Sequence, residues 1–220
     1  SYMGLVFIAV GTGQTETALT LIFAYTLAMG LLVMSIGSVV WNSVTQDVRA
    51  LGGLWGKRPI SAISFIVGSA GLVGLPPFGC FWALSELASG LSETHPLLLG
   101  IVLFVNGVTA FGLVRVFGLV FGGKPKQMTE RSPEVHWPFI LPMTILMGFT
   151  LHVPHLLAAW QLLPWASLNY TATGLVVLSS AIGIGAGAFV YLNEKWEKPV
   201  QIGSQALQDF FAYDFYTAQL

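Results

Sequence analysis

Charge is what this sequence lacks most. Only 9% of its 220 residues are charged, against 55% hydrophobic, and mean hydropathy is +0.75. A soluble domain carries about 25% charged residues. There is too little polar surface here to keep a globule in water, and the chain reads as a polytopic membrane protein. A net charge of −1 supplies no basic field for nucleic acid. The single cysteine, Cys80, excludes an internal disulfide and a cysteine-built metal site. In an apolar run it reads as a small filler rather than a reactive thiol. Also missing are a Walker loop, a zinc-binding helix, a haem-ligand pair with the right span geometry and a Ser–His–Asp set. No covalent chemistry is expected of this chain alone, and no cofactor or metal.

What is abundant is long apolar sequence. A spanning helix takes about 20 mostly apolar residues. The expectation is one partial span at 1–11 and full spans at about 17–41, 60–88, 96–121, 138–160 and 171–192. The fold class is all-α, a transmembrane helix bundle, because lipid offers backbone groups no other partner. The opening "SYMGLVFIAVG" has no charged n-region and no small-residue cleavage motif, so it does not read as a secretory signal. It reads as a helix already under way, in a piece of a longer protein. The stretch 201–220 is too polar to span. Ile202, Leu207, Phe210, Phe211 and Phe215 suit one face of an interfacial amphipathic helix.

Basic residues are unevenly placed. Arg49, Lys57 and Arg58 follow the first full span, Lys124, Lys126 and Arg131 the third, and Lys195 and Lys198 the fifth. The connections 90–95 and 161–170 contain no Lys or Arg. The positive-inside rule puts the basic connections on the cytoplasmic side. This alternation requires 60–88 to cross once. That segment is interrupted by "GLPPFG", in which Gly74, Pro76, Pro77 and Gly79 mark a helix break. A break frees backbone groups that survive in a membrane only when buried in protein or lining a wet cavity, and transporters place such breaks at ion sites. The plain alternative is a proline kink that serves packing.

Four groups are candidates for a proton path. Glu86, ten residues past the prolines, reads either as an intramembrane proton carrier or as a carboxylate reaching water near the interface. Arg115, six residues before the end of its span, either snorkels or partners a carboxylate or a freed carbonyl. His152, three residues from His155, is a relay candidate; without a third ligand the pair makes a poor metal site. Tyr25 is a weaker relay candidate. Glu16 suits the first turn of a helix capped by Thr15 or Thr17. Gly183, Gly185 and Gly187 look like a nucleotide loop only on paper, since no strand precedes them, and they read as close helix packing. "NYT" at Asn169 matches a glycosylation acceptor but hugs the membrane.

The run "QDVRALGGLWGKRPISAISFIVGSAGLVGLPPFGCFW", with "RVFGLVFGG" at 115–123 and the tail "FAYDFYTAQL", resembles the second half of an antiporter-like membrane subunit of respiratory complex I and its relatives. It is most similar to the largest, F-type subunit of photosynthetic complexes. "WNSVTQDVRALGGLW" and "LPPFGCFWAL" resemble the carbon-dioxide-uptake variant of the cyanobacterial NADH-dehydrogenase-like complex. The resemblance implies two inverted five-helix repeats, of which this chain holds most of the second and the helices after it. It further implies a thylakoid setting and plastoquinone-linked proton translocation. The partners it implies are other membrane subunits, lipid and a cytoplasmic subunit that hydrates carbon dioxide. The chain departs from the family where charge is usual. Leu21, Tyr25 and Met29 occupy the positions of two histidines and a lysine, and Leu84 and Ser85 those of a lysine and an aspartate, leaving Glu86. Those losses favour a second reading, a structural and docking subunit with a degenerate half-channel. They count against a third, a subunit of a multi-subunit sodium/proton antiporter or membrane hydrogenase.

Overall fold

A computed structural model describes residues 2–126, 129–130, 132–163 and 168–192, without the side chain of Arg49. The basic residues Arg131, Lys195 and Lys198 and the stretch 201–220 lie outside the described residues. Among the described residues seven α-helices account for the regular structure, with one turn of 3-10 helix at Val48–Ala50. They are α1 (Tyr2–Gly11), α2 (Thr15–Ser43), α3 (Pro59–Leu72), α4 (Gly79–Thr94), α5 (Pro96–Val120), α6 (Trp137–Ala159) and α7 (Tyr170–Tyr191). Among them α2, α5, α6 and α7 are each long and apolar enough to cross a membrane.

The helices are apolar on both faces, as lipid requires. Leu21, Ala24, Ala28, Leu31 and Leu32 of α2 are buried, while Leu19 and Val33 point outward. Without a hydrophobic drive between helices in lipid, close backbone approach does the packing. In α7, Gly183 and Gly187 face α5. A Cβ at Gly183 would lie 2.2 Å from the Gly107 carbonyl oxygen, and one at Gly187 2.9 Å from Val114. Gly185 faces open space, so two of the three glycines serve the packing expected of them.

The chain ends fall into two groups. At one end the 44–58 and 121–136 connections bind each other. Gly53 N–H donates to the Gly122 carbonyl (2.7 Å), Trp55 N–H to the Phe121 carbonyl (3.0 Å) and Thr129 Oγ1 to the Gly52 carbonyl (2.7 Å). Phe65, Phe117 and Phe121 cluster beneath them with centroids 5.5–6.2 Å apart. At the other end Asn169 N–H donates to Ser89 Oγ of α4 (2.9 Å), and Gly90 packs on Gln14. So α3 starts at the end holding Lys57 and Lys124, and α4 finishes at the end without Lys or Arg. The two short helices together run from one end of the bundle to the other.

Helix boundaries differ from the sequence reading in one instructive place. The N-cap of α2 is Gln14, and no side chain caps it. Thr15 and Thr17 already lie inside the helix, where the Glu16 carboxylate in the first turn meets the exposed amides electrostatically. α7, by contrast, is capped by Asn169, whose Oδ1 accepts from Thr171 N–H at 3.0 Å. α6 continues through both Pro142 and Pro154.

Candidate functional site

Between α3 and α4 the chain leaves helical geometry. Val73 is extended (φ −78°, ψ 150°), Leu75 N–H turns back to the Val73 carbonyl, and Phe78 N–H to that of Leu75. The Pro76–Pro77 bond is cis. Both prolines are exposed on the bundle flank, and the Pro77 carbonyl accepts from Trp82 Nε1 at 3.0 Å. Pro supplies no N–H, so Gly74 is where the interior must provide for a bare peptide group.

It is met by a residue the sequence reading did not single out. Asn106 of α5 is buried, and its Oδ1 accepts from Gly74 N–H (3.1 Å) and from the Tyr2 hydroxyl (3.0 Å). Its Nδ2 lies 2.8 Å from Ser179 Oγ, 2.7 Å from Ser180 Oγ and 3.3 Å from the Val176 carbonyl. Ser180 Oγ reaches the Gly74 carbonyl at 3.2 Å. The N–H and the carbonyl of Gly74, which belong to successive peptide groups, are thus both met by side chains from α5 and α7. No side chain fits at Gly74 itself, because a Cβ there would stand 2.5 Å from Val176 Cγ1.

Of the four expected path residues, Tyr25 adjoins this inner structure and Glu86 lies apart from it, in a cleft further along α4. Tyr25 is half-buried and stacks on Tyr2, with centroids 6.1 Å apart and planes 13° off parallel. Its ring therefore abuts the phenol that bonds Asn106. Glu86 is half-buried on α4, with Thr17 and Glu16 close by. Glu86, Glu16 and Thr17 line an open cleft of about 730 Å³ between the start of α2 and the end of α4, together with Gln14, Ser89 and Glu93. The neighbouring family positions are inert. Leu84 is fully buried with its Cδ1 3.4 Å from where a Gly74 Cβ would be, and Ser85 Oγ is buried without a hydrogen-bond partner among the described residues.

The other two face outward. Arg115 is exposed, with its guanidinium carbon 5.7 Å from the centroid of the Tyr191 ring. At 1.5 Å per residue it stands about 15 Å further along the bundle axis than Glu86, so the two make no pair. His152 is exposed on α6. Its Nδ1 is 2.7 Å from the Gly148 carbonyl and its ring 5.9 Å from that of His155. No group of three or more His, Cys, Asp or Glu suited to a metal ion exists among the described residues.

A second buried polar centre lies where α2 ends and α3 begins. The Glu134 carboxylate accepts from Ile60 N–H (2.9 Å), Ser61 N–H (3.3 Å) and Ser61 Oγ (2.6 Å), capping α3 from the 121–136 connection. Ser61 Oγ is 3.0 Å from Ser38 Oγ, Ser38 Oγ bonds the Ser35 carbonyl (2.6 Å), and Ser35 Oγ bonds the Ser61 carbonyl (2.7 Å). Arg58, with no exposed surface, donates Nη1 to the Ser38 carbonyl at 2.9 Å. Burial pulls its guanidinium below the ordinary arginine value, and the nearby Glu134 charge opposes that. The signal for this centre was serines spaced three apart in two apolar helices, at 35/38 and 61/64. The signal for the first was one asparagine in "LFVNGVTAF".

Comparison with known proteins gives a consistent answer. The family described as "NADH:quinone oxidoreductase/Mrp antiporter, TM" matches residues 1–112. NAD(P)H-quinone oxidoreductase subunit 5, organellar chromatophore 2, of Paulinella chromatophora is 38% identical over 218 residues, 99% of this chain and 35% of that protein. The chloroplastic subunit 5 of Spinacia oleracea is 35% identical over 132 residues, 56% of this chain and 18% of that protein. That of Nephroselmis olivacea is 28% identical over 157 residues, 66% of this chain and 24% of that protein. The chain spans about a third or less of the length of these relatives.

Proposed function

Since the chain belongs to the NADH:quinone oxidoreductase/Mrp antiporter transmembrane family, we propose that it is part of a membrane-arm subunit of an NAD(P)H-quinone oxidoreductase-type complex and contributes to proton translocation. The observation that carries this reading is the break at 73–78, held open in the bundle interior by Asn106 and Ser180, on the same crossing as a half-buried carboxylate that opens to a cleft. A path for protons across a membrane needs polar groups at depth and a titratable group with access to water. Gly74 and its partners supply the first and Glu86 the second.

In this reading Glu86 carries the proton between the interior and the cleft. Tyr25 is the inner relay candidate, next to Tyr2 and the break. Arg115 and His152, on the outer surface, act on the path only through the field at long range. The finer setting follows the resemblance of "WNSVTQDVRALGGLW" and "LPPFGCFWAL": a cyanobacterial thylakoid complex, with the basic connections on the cytoplasmic side, coupled to carbon dioxide uptake through a carbon-dioxide-hydrating partner. Chloroplast and chromatophore relatives agree with a photosynthetic membrane. The test is Glu86→Gln in the intact complex, with proton flux and quinone reduction measured together. The expected result is a lower proton-to-electron ratio; an unchanged ratio removes Glu86 from the path.

Leu84 favours a second reading. A buried, non-titratable side chain packed against the break, where the family usually carries a lysine, suits a structural subunit whose half-channel no longer conducts. Water distinguishes the two. A continuous hydrated track from the Glu86 cleft to Gly74, seen by radical footprinting of 73–90, belongs to transport, and a dry one to a scaffold.

A further inference from the structure

Two imidazoles of α6 face out of the bundle at a depth where only hydrocarbon or protein can meet them. We propose that this face docks a transmembrane helix of a neighbouring subunit, one that brings a hydroxyl or amide donor to His152. This rests on the membrane-arm reading above and names one of its contacts.

Three observations meet here. The first is depth. Exposed tryptophans stand at both ends of α6, Trp137 and Trp160, and tryptophan favours the membrane–water interface. The 23 residues of α6 span about 34 Å, against about 30 Å of hydrocarbon. His152 lies about 12 Å inside Trp160, and His155 about 8 Å. The neighbouring helices agree: a Cβ at Gly79 would lie 2.5 Å from Val153 Cγ1 and 3.0 Å from Ala24 Cβ, and Ala24 is about 13 Å from the start of α2. An imidazole is too short to reach water from there. Ionisable side chains at such depth face protein or a wet cavity, not lipid.

The second is the face itself. α6 buries Met143, Thr150, Val153 and Leu157 against the bundle. Leu141, Thr144, Ile145, His152 and His155 are exposed, and a Cβ at Gly148 would meet nothing within 4 Å. Thr144, Gly148 and His152 recur at every fourth residue. Small and polar residues at that spacing let membrane helices approach and bond each other, and Gly183 and Gly187 use the same spacing to pack α7 on α5. The third is the hydrogen bond that His152 already makes. Its Nδ1 is 2.7 Å from the Gly148 carbonyl. A carbonyl only accepts, so Nδ1 carries the hydrogen and Nε2 of the neutral ring keeps a lone pair. No donor meets Nε2 among the described residues. Lipid tails have none to offer, whereas a hydroxyl or side-chain amide on a facing helix does. The occupant is assigned to another subunit because the family match, 1–112, ends before α6. The helix with the free polar face is thus outside the domain that the family shares.

The test uses the full-length protein in its complex, in native membranes, with a photo-cross-linking residue in place of Ile145. The expected product joins this protein to a different polypeptide. A product with lipid alone, a product within its own polypeptide, or no product overturns the proposal. Dilution of the purified complex in detergent then gives an apparent dissociation constant for the subunit. His152→Leu should raise it roughly 3- to 20-fold, the range of interhelical hydrogen bonds in membranes. His152→Gln, which keeps an acceptor, should restore it; if His152→Gln is no better than His152→Leu, the donor assignment is wrong. Should His152→Leu fail to accumulate, the cross-link at Ile145 decides alone. If the cross-link reaches only lipid while the subunit still purifies with its complex, the docking face is wrong and the membrane-arm reading stands. If the subunit purifies with no complex, both fall.

Discussion

Replacing Asn106 by leucine keeps the volume of the side chain and removes every bond to the break. Gly74 N–H, with no other acceptor, becomes a buried unpaired donor, which costs about 1–3 kcal/mol. Tyr2 and Ser179 each lose a buried side-chain bond, and in membrane proteins such bonds average about 0.6 kcal/mol. Ser180 keeps the Val176 and Gly74 carbonyls. The sum is about 2–4 kcal/mol against the break, or roughly 30- to 1,000-fold in its local opening constant. Hydrogen exchange of the 73–78 amides in the nanodisc-embedded protein reads this directly. The control is Thr109→Val, whose hydroxyl bonds only the Val105 carbonyl of its own helix. If Asn106→Leu exchanges no faster than Thr109→Val, Asn106 does not hold the break and the reasoning fails.

Gly183→Ala should separate α5 from α7, since the added methyl meets a backbone carbonyl that cannot retreat. A loss of about 1–3 kcal/mol is expected in thermal unfolding, while Gly185→Ala, facing open space, should be neutral. Asn169→Ala removes the cap of α7 and should cost about 1 kcal/mol by the same measurement. Cys80 is fully buried on α4, so maleimide labelling of the folded protein should be negligible and should appear together with unfolding; fast labelling would place that face of α4 in a wet channel.

Much of this fold was legible because lipid permits so few alternatives. Long apolar runs must be helices, and the four longest of them are. "GLPPFG" announced the break through proline's missing donor. What holds the break was not legible, since Asn106, Ser179 and Ser180 are 32 or more residues away from Gly74 and meet it only after α5 and α7 pack. The side to which Arg115 and His152 turn was not legible for the same reason. A charge or imidazole in an apolar helix shows its depth in the sequence but not its azimuth, and both side chains turn outward. Tyr25 is half-buried against Tyr2, and Glu86 is half-buried at the mouth of the cleft. At the N-terminus of α2, Thr15 and Thr17 looked like caps, but the N-cap is Gln14, just after the turn through Gly13, and the helix begins at Thr15.

The partners of Gly74 also set an order of events in biogenesis. Its amide awaits Asn106 and its carbonyl awaits Ser180, which leaves the ribosome 106 residues later. At common elongation rates that is about 5–20 s during which the α3–α4 crossing sits in the translocation machinery with a peptide group unprovided for. The crossing is threaded early but locked late, by the last helix described here. A truncation that ends before α7 would therefore strand the break, and quality-control proteases should recognise such a chain by that segment first.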